Sequence, residues 1–368
     1  MRILHIGYRL PPEPGGKELY IERLVREQLR RGHEVVVAHR RGEILPGTEP
    51  LPLARTWPGR AAALKSDEIA FAMDCATALP RVRGLDVIHL HGDHREALAL
   101  GPAARRLGMP LVLHVHGALA MHQRWIMPWA FRHVDGFIVV GGRPEGELLS
   151  VGIPDRLIRV VPSGVNFGHL AGFRDRGRLQ RGLIVSVGSL VQVKNHELTI
   201  EAFHRVRAAR PDVRLVIAGD GPERDRLRRL AAMGPGVELA GHLSPDRVYS
   251  LVSRAEVFVQ SSRRLRAIGE GIPTAALEAM ALGAAVLVSS DASLDPVVPR
   301  DCYRIFRSES ATDLVAQLGA LLDDDEGRRR MIEKGVRAAE DADWPVVAAR
   351  IEDWYEKVIH GVPALAAV

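Results

Sequence analysis

The chain has 368 residues, 46% of them hydrophobic and 26% charged, with a formal net charge of +5. That composition excludes a disordered chain, and the length allows two or three domains with cores of their own. No apolar run reaches the length of a membrane span, and the only cysteines, Cys75 and Cys302, lie too far apart in the sequence to suggest a disulfide framework or thiolate metal site, so a reducing cytoplasm is the expected setting.

Taken in order, Met1–Gly7 reads as a first strand and not as a signal peptide, because its short apolar run turns polar at once. Pro11–Gly16 is a loop, and Lys17–Arg31 has the apolar spacing of a helix that ends at Gly32. Strands are expected at Glu34–His39, Asp86–His91, Pro110–His116, Gly136–Gly141 and Ile158–Gly164, with a loop and one or two helices across 46–83. Phe167–Gly182, rich in Gly and Arg, reads as a linker. The rhythm then restarts with strands at Leu183–Ser189, Arg214–Gly219, Val237–Gly241, Val257–Ser261 and Ala285–Ser290, and Trp344–His360 is a closing amphipathic helix. Near-continuous apolar strands alternating with helices mean parallel sheets covered on both faces. The expected fold class is α/β, two doubly wound parallel-sheet (Rossmann-like) domains facing across a cleft, with ligands beyond the carboxyl ends of the strands. The expected boundaries are 1–172, 173–343 and a final segment 344–368.

Charge is unevenly placed: residues 1–172 hold 22 Lys and Arg against 17 Asp and Glu, whereas 173–368 hold 28 against 28. A basic N-terminal half suits an anionic partner, including anionic lipid at the inner face of a membrane. No aromatic residues interleave with the arginines as a single-strand-binding surface would want, so no nucleic-acid partner is expected.

The stretch richest in chemistry is Gly269–Gly283, in which a glycine loop opens a small-residue helix. Pro273 suits a first helical position, where its missing N–H would have no partner anyway. The remaining first-turn N–H groups, beside Ile272, Thr274 and Ala275, form an anion-ready end, and Gly271 allows close backbone approach. Glu278 is the one charged residue between Glu270 and Asp291. A carboxylate in that apolar run needs a partner, and sugar hydroxyls suit an acceptor-only group, although a partly exposed helical Glu reads equally well. Gly15 and Gly16 turn N–H groups toward a possible phosphate at the first helix, with a plain glycine turn as the alternative. Lys194, just before a helix, is placed to neutralise a phosphate. His89 with His91, and His114 with His116, share strand faces. His89 and His114 look structural, His91 and His116 sit at the carboxyl ends of their strands, His116 reads as substrate-facing, and no metal site is assigned.

In order and spacing these segments resemble the retaining, nucleotide-sugar-dependent glycosyltransferases of family four, which have the GT-B fold. The resemblance runs through Gly15-Gly16, Arg31–Val35, Asp86–His91, His114–Gly117, Val161–Asn166, Lys194, Ala218–Pro222, Glu270–Glu278 and Trp344–Tyr355. It implies transfer of a sugar, most commonly from a UDP-sugar, to a glycan, lipid-linked or small-molecule acceptor, with no metal or cofactor. His116, Glu270 and Lys194 would be catalytic. Gly15, Gly16, Ser189, Lys194, Gly271, Ile272, Pro273, Thr274, Ala275 and Glu278 would bind donor, with Glu278 on the ribose and Gly16 closing on the diphosphate. Ser189 stands where that family usually has an Arg. The closing helix would cross back onto the first domain. An epimerase or phosphorylase on the same scaffold, or a non-catalytic nucleotide-sugar-binding partner protein, are the alternatives.

Overall fold

The structure, a computed structural model, describes residues 1–13, 15–174, 179–265 and 272–361. They form two compact units, Met1–Pro162 together with the helix Trp344–His360, and Ser163–Asp343.

The first unit has seven strands: β1 (Arg2–Ile6), β2 (Glu34–Ala38), β3 (Glu49–Pro50), β4 (Val87–His91), β5 (Leu111–Val115), β6 (Gly136–Val139) and β7 (Ile158–Val160). All pair in parallel, in the order β3-β2-β1-β4-β5-β6-β7. Side chains alternate across the sheet, so Leu4, Ile6, Ile88, Leu90, Leu111 and Leu113 enter one apolar cluster. Ile3, Val87, Val112 and Ile138 enter another, which the closing helix covers with Val347, Ile351, Trp354 and Val358. Close packing of that helix needs Gly136, where a Cβ would lie 2.7 Å from Val358 Cγ2.

The second unit has six strands: β8 (Gln180–Val187), β9 (Arg214–Ala218), β10 (Val237–Gly241), β11 (Ala255–Gln260), β12 (Ala285–Ser289) and β13 (Arg304–Phe306). They pair in parallel in the order β10-β9-β8-β11-β12-β13. Strand order reverses between β1 and β4 in one sheet and between β8 and β11 in the other. Those switch points are where open parallel sheets take ligands. Within this unit Arg328 and Glu256, each 5% exposed, pair at 2.7 Å, and Glu256 also accepts from Gly182 N.

One sequence expectation about the fold needs correction. Phe167–Arg174, expected within a linker, is a helix. Phe167, Leu170 and Phe173 recur at helical spacing on one face, Leu170 is buried, and Asp343 and Asn166 carboxyl and amide oxygens accept from the first-turn N–H groups of Phe167 and His169. The two- and three-residue strands β3 and β13 had no periodicity to reveal them. No helix among the described residues is long and apolar enough to cross a membrane.

Candidate active site

At the carboxyl end of β8 the chain runs through Gly188, Ser189 and a single 3-10 turn, Gln192–Lys194, before the helix His196–Ala209. Asn195 makes the junction in the left-handed region, at φ 52° and ψ 40°, which Asn tolerates better than most residues. The turn is clamped from the loop after β11. Ser261 Oγ donates toward the carbonyl oxygens of Lys194 and Asn195, at 3.1 and 2.9 Å, and accepts from Thr199 Oγ1 at 2.7 Å. Arg263 N–H donates to Val193 O, and its guanidinium to Gln192 O.

Lys194 lies along Gly188, with Cδ and Cε 3.4 Å from where a Gly188 Cβ would stand. Burial pulls its ammonium down from 10.5 to about 8. His196, behind it, is pulled down to about 4 by burial and then by Lys194, so Lys194 is the group of this turn that titrates near neutral pH. The loop after β9 packs tightly against the same turn. A Cβ on Gly219 would stand 1.9 Å from Gly188 O, and one on Gly221 2.6 Å from Leu190 O. These glycines therefore let two strand-end loops meet and exchange the bonds Leu190 N–H to Asp220 O and Glu223 N–H to Leu190 O. Ser189, which follows Gly188 in the chain, is exposed. The Arg263 guanidinium bonds Gln192 O and pairs with Glu309 at 3.4 Å.

The helix expected around Glu278 is Thr274–Ala281. Pro273 is its N-cap residue, one position before the first-turn place expected, and no side chain caps the helix. Its own nitrogen offers no hydrogen, so the open N–H groups belong to the residues around it. Gly283, at φ 82°, ends the helix with Gly283 N–H bonding Met280 O and Ala284 N–H bonding Ala279 O. Glu278 is half-buried and accepts from Tyr249 Oη at 3.3 Å, above an apolar lining that includes Val187, Val252 and Phe258. Glu270 and Gly271 lie outside the described residues.

In the first unit Gly15 is the N-cap residue and Gly16 the first residue of the helix Gly16–Arg30. A Cβ on Gly15 would stand 2.0 Å from Glu18 Oε2, so Gly15 admits a buried carboxylate at the positive end of its own helix. Gly16 has open space where a Cβ would be, and both glycines are exposed.

His116 follows β5 and is half-buried, while His89, His91 and His114 are fully buried. The structure adds His5, Gln28 and Tyr355 to this group. His5 sits in register with His89 and His91 with His114, so histidines on one face of three adjacent strands were a signal available from the sequence. Two triads, His5 with His89 and His91 and His91 with His114 and His116, bring ring nitrogens within 4.8 Å of one another. Hydrogen bonds engage those nitrogens with one another, with Gln28 or with Tyr355 at most positions. Burial, and after it Lys17, holds His116 well below its usual range and therefore neutral. Glu96, after β4, is pushed up to about 7 by burial and Asp93, and it caps its helix by accepting from Asp93 N at 2.7 Å.

The family model described as Glycosyltransferase Family 4 matches residues 14–168, and the model described as Glycosyl transferases group 1 matches residues 174–337. The MMP alpha-(1->4)-mannosyltransferase of Mycolicibacterium hassiacum is 27% identical, covering 99% of this chain and 100% of its own. The glycogen synthase of Mycobacterium tuberculosis is 26% identical, covering 96% and 94%. Among solved structures, Anabaena HepE in complex with UDP superposes with a TM-score of 0.76 at 14% identity, over 97% of this chain and all of that one.

Proposed function

This chain belongs to the family-four glycosyltransferases of GT-B fold, and from that premise we propose that its second unit binds a nucleotide-sugar donor through Lys194, the open start of the helix Thr274–Ala281 and Glu278. The observation that carries the reading is Lys194: a half-buried lysine whose backbone turn is clamped at a strand-order switch point. A diphosphate adds charge-assisted hydrogen bonds to a lysine held there. As the sugar's bond to the diphosphate breaks, Lys194 and the helix N–H groups stabilise the charge that develops on the leaving oxygen. Glu278 accepts from the ribose hydroxyls. Ser189 adds a hydroxyl where a second cation would bind more strongly. Glu270 and Gly271 belong to the same proposed set by sequence position.

The first unit's part is the acceptor, with His116 presented to the sugar and Gly16 to phosphate. Transfer proceeds with retention by same-face attack and without a metal or other cofactor. A UDP-sugar is the first choice of donor, because the solved relative HepE binds UDP and UDP-glucose. Relatives whose names specify GDP-mannose place that donor second. A panel of nucleotide sugars, followed by binding and slow donor hydrolysis, tests the reading. Response to at least one donor, lost in Glu278→Ala, is expected; no response, or an unchanged one in that variant, contradicts it.

We also propose peripheral contact of the first unit with anionic membrane at the cytoplasmic face. Trp57 and Leu64 are 81% and 89% exposed among Arg55, Arg60 and Lys65. Trp125 and Trp129 are 78% and 51% exposed beside Arg124 and Arg132, and the Arg132 guanidinium lies 4.6 Å from the Trp129 ring centre. Exposed indoles among cations suit an interface of apolar chains and anionic headgroups. Sedimentation with vesicles containing anionic lipid should fall in Trp125→Glu; equal sedimentation of both proteins contradicts the contact.

A further inference from the structure

The buried imidazoles of the first unit form two hydrogen-bonded rows that begin at one side chain, the fully buried Gln28. In the first row Gln28 Oε1 lies 2.7 Å from His5 Nε2, His5 Nδ1 lies 2.9 Å from His91 Nε2, and His91 Nδ1 lies 2.9 Å from His116 Nε2. In the second row Gln28 Nε2 lies 3.4 Å from Tyr355 Oη, Tyr355 bonds His89 Nδ1, and His89 Nε2 lies 3.1 Å from His114 Nδ1.

A neutral imidazole has one donor and one acceptor nitrogen, so such a row has one of two polarities. Burial holds His5 near 4 and the other four well below their usual range, which makes all five neutral at pH 7. An amide oxygen only accepts, so His5 carries its proton on Nε2. His5 Nδ1 is then an acceptor, and His91 must donate from Nε2. By the same step His116 donates from Nε2 and keeps Nδ1 bare. The amide nitrogen of Gln28 only donates, so the second row runs the other way. Tyr355 donates to His89, His89 donates to His114, and His114 is left with a proton on Nε2, a buried atom with no protein hydrogen-bond partner among the described residues. Turning over one amide would reverse both rows together.

We propose that Gln28 is a positioning residue that sets the tautomer of His116, so that His116 offers a bare Nδ1 as acceptor to a hydroxyl of the donor sugar. The inference rests on the reading of His116 as sugar-facing. The proton on Nε2 is held by His91, and that bond also fixes the ring plane.

Nitrogen-proton correlation spectra of the full chain labelled at histidine nitrogen, recorded at pH 7, read each tautomer directly, with His116 assigned from His116→Gln. The wild type should show His116 protonated on Nε2. Gln28→Leu should shift His116 toward the other tautomer and weaken UDP-glucose binding roughly three- to tenfold, the range for one neutral hydrogen bond. Gln28→Glu, whose carboxylate also only accepts, should restore both. Tyr355→Phe cuts the second row alone and should alter His114 while leaving His116 as Nε2–H. A wild-type His116 protonated on Nδ1, or a tautomer indifferent to Gln28→Leu in the folded protein, overturns the proposal. If Gln28→Leu does not fold, the wild-type, Gln28→Glu and Tyr355→Phe spectra still decide it. A tautomer that follows Gln28 while donor affinity stays fixed overturns the sugar-facing part alone, so the two failures are told apart.

Discussion

Lys194 supplies a prediction with a definite shape. In the free protein burial holds it at about 8, against 10.5 for an ordinary lysine. A bound diphosphate favours the ammonium, so binding takes up a proton wherever the free lysine is neutral. At pH 8 the free lysine is about half protonated, and binding of UDP should take up about half a proton. The dissociation constant should change little below pH 7.5, then rise about fivefold from pH 8 to pH 9, ending roughly tenfold higher at pH 9 than at pH 7. His116 and His196 are neutral throughout this window and add no slope. Isothermal titration calorimetry in two buffers of different ionisation enthalpy measures the proton uptake. Lys194→Met should weaken UDP binding by about 10- to 100-fold at pH 7, the range for a charged hydrogen bond, and should abolish the slope. A wild-type affinity that is flat from pH 7 to 9, with no proton uptake at pH 8, would refute the assignment.

Gly219→Ala should destabilise the protein by about 2–4 kcal/mol and weaken UDP binding, because the new methyl meets the Gly188 carbonyl, and backbone cannot rotate away. Gly16→Ala, with open space at its Cβ, should leave the melting temperature nearly unchanged while lowering donor affinity; thermal melts with and without UDP check both. Arg328→Met should cost about 3–5 kcal/mol by leaving the buried Glu256 carboxylate unpaired, and adding Glu256→Gln should recover much of it in chemical denaturation.

The architecture was legible because apolar strands and helices alternate along most of the chain, and near-continuous Val, Ile and Leu runs leave little choice but a covered parallel sheet. Failures came where that signal is short or diluted. β3 and β13 are too brief for a period to show, and the helix at Phe167–Arg174 hides among glycines although its Phe and Leu spacing is helical. At the site, Lys194 could be picked out by position, but its clamp by Ser261 could not, because it joins residues 66 and 67 positions apart. Gly15 illustrates a different limit. From sequence it reads as a phosphate glycine, and the structure adds that its missing side chain makes room for Glu18. The histidine rows were half visible: the strand pairs showed, but Gln28 and Tyr355 reach them from two helices 327 residues apart.

The most direct test of the account is a cycle on Glu278 and the ribose. Affinities of UDP and of 2′,3′-dideoxy-UDP would be measured for the wild type and for Glu278→Ala. If Glu278 accepts from the ribose hydroxyls, removing those hydroxyls weakens wild-type binding by about 10- to 100-fold and changes binding to Glu278→Ala little, so the two losses do not add. Losses that add, with dideoxy-UDP penalised equally in both proteins, would contradict the central claim that the helix Thr274–Ala281 holds the donor nucleotide.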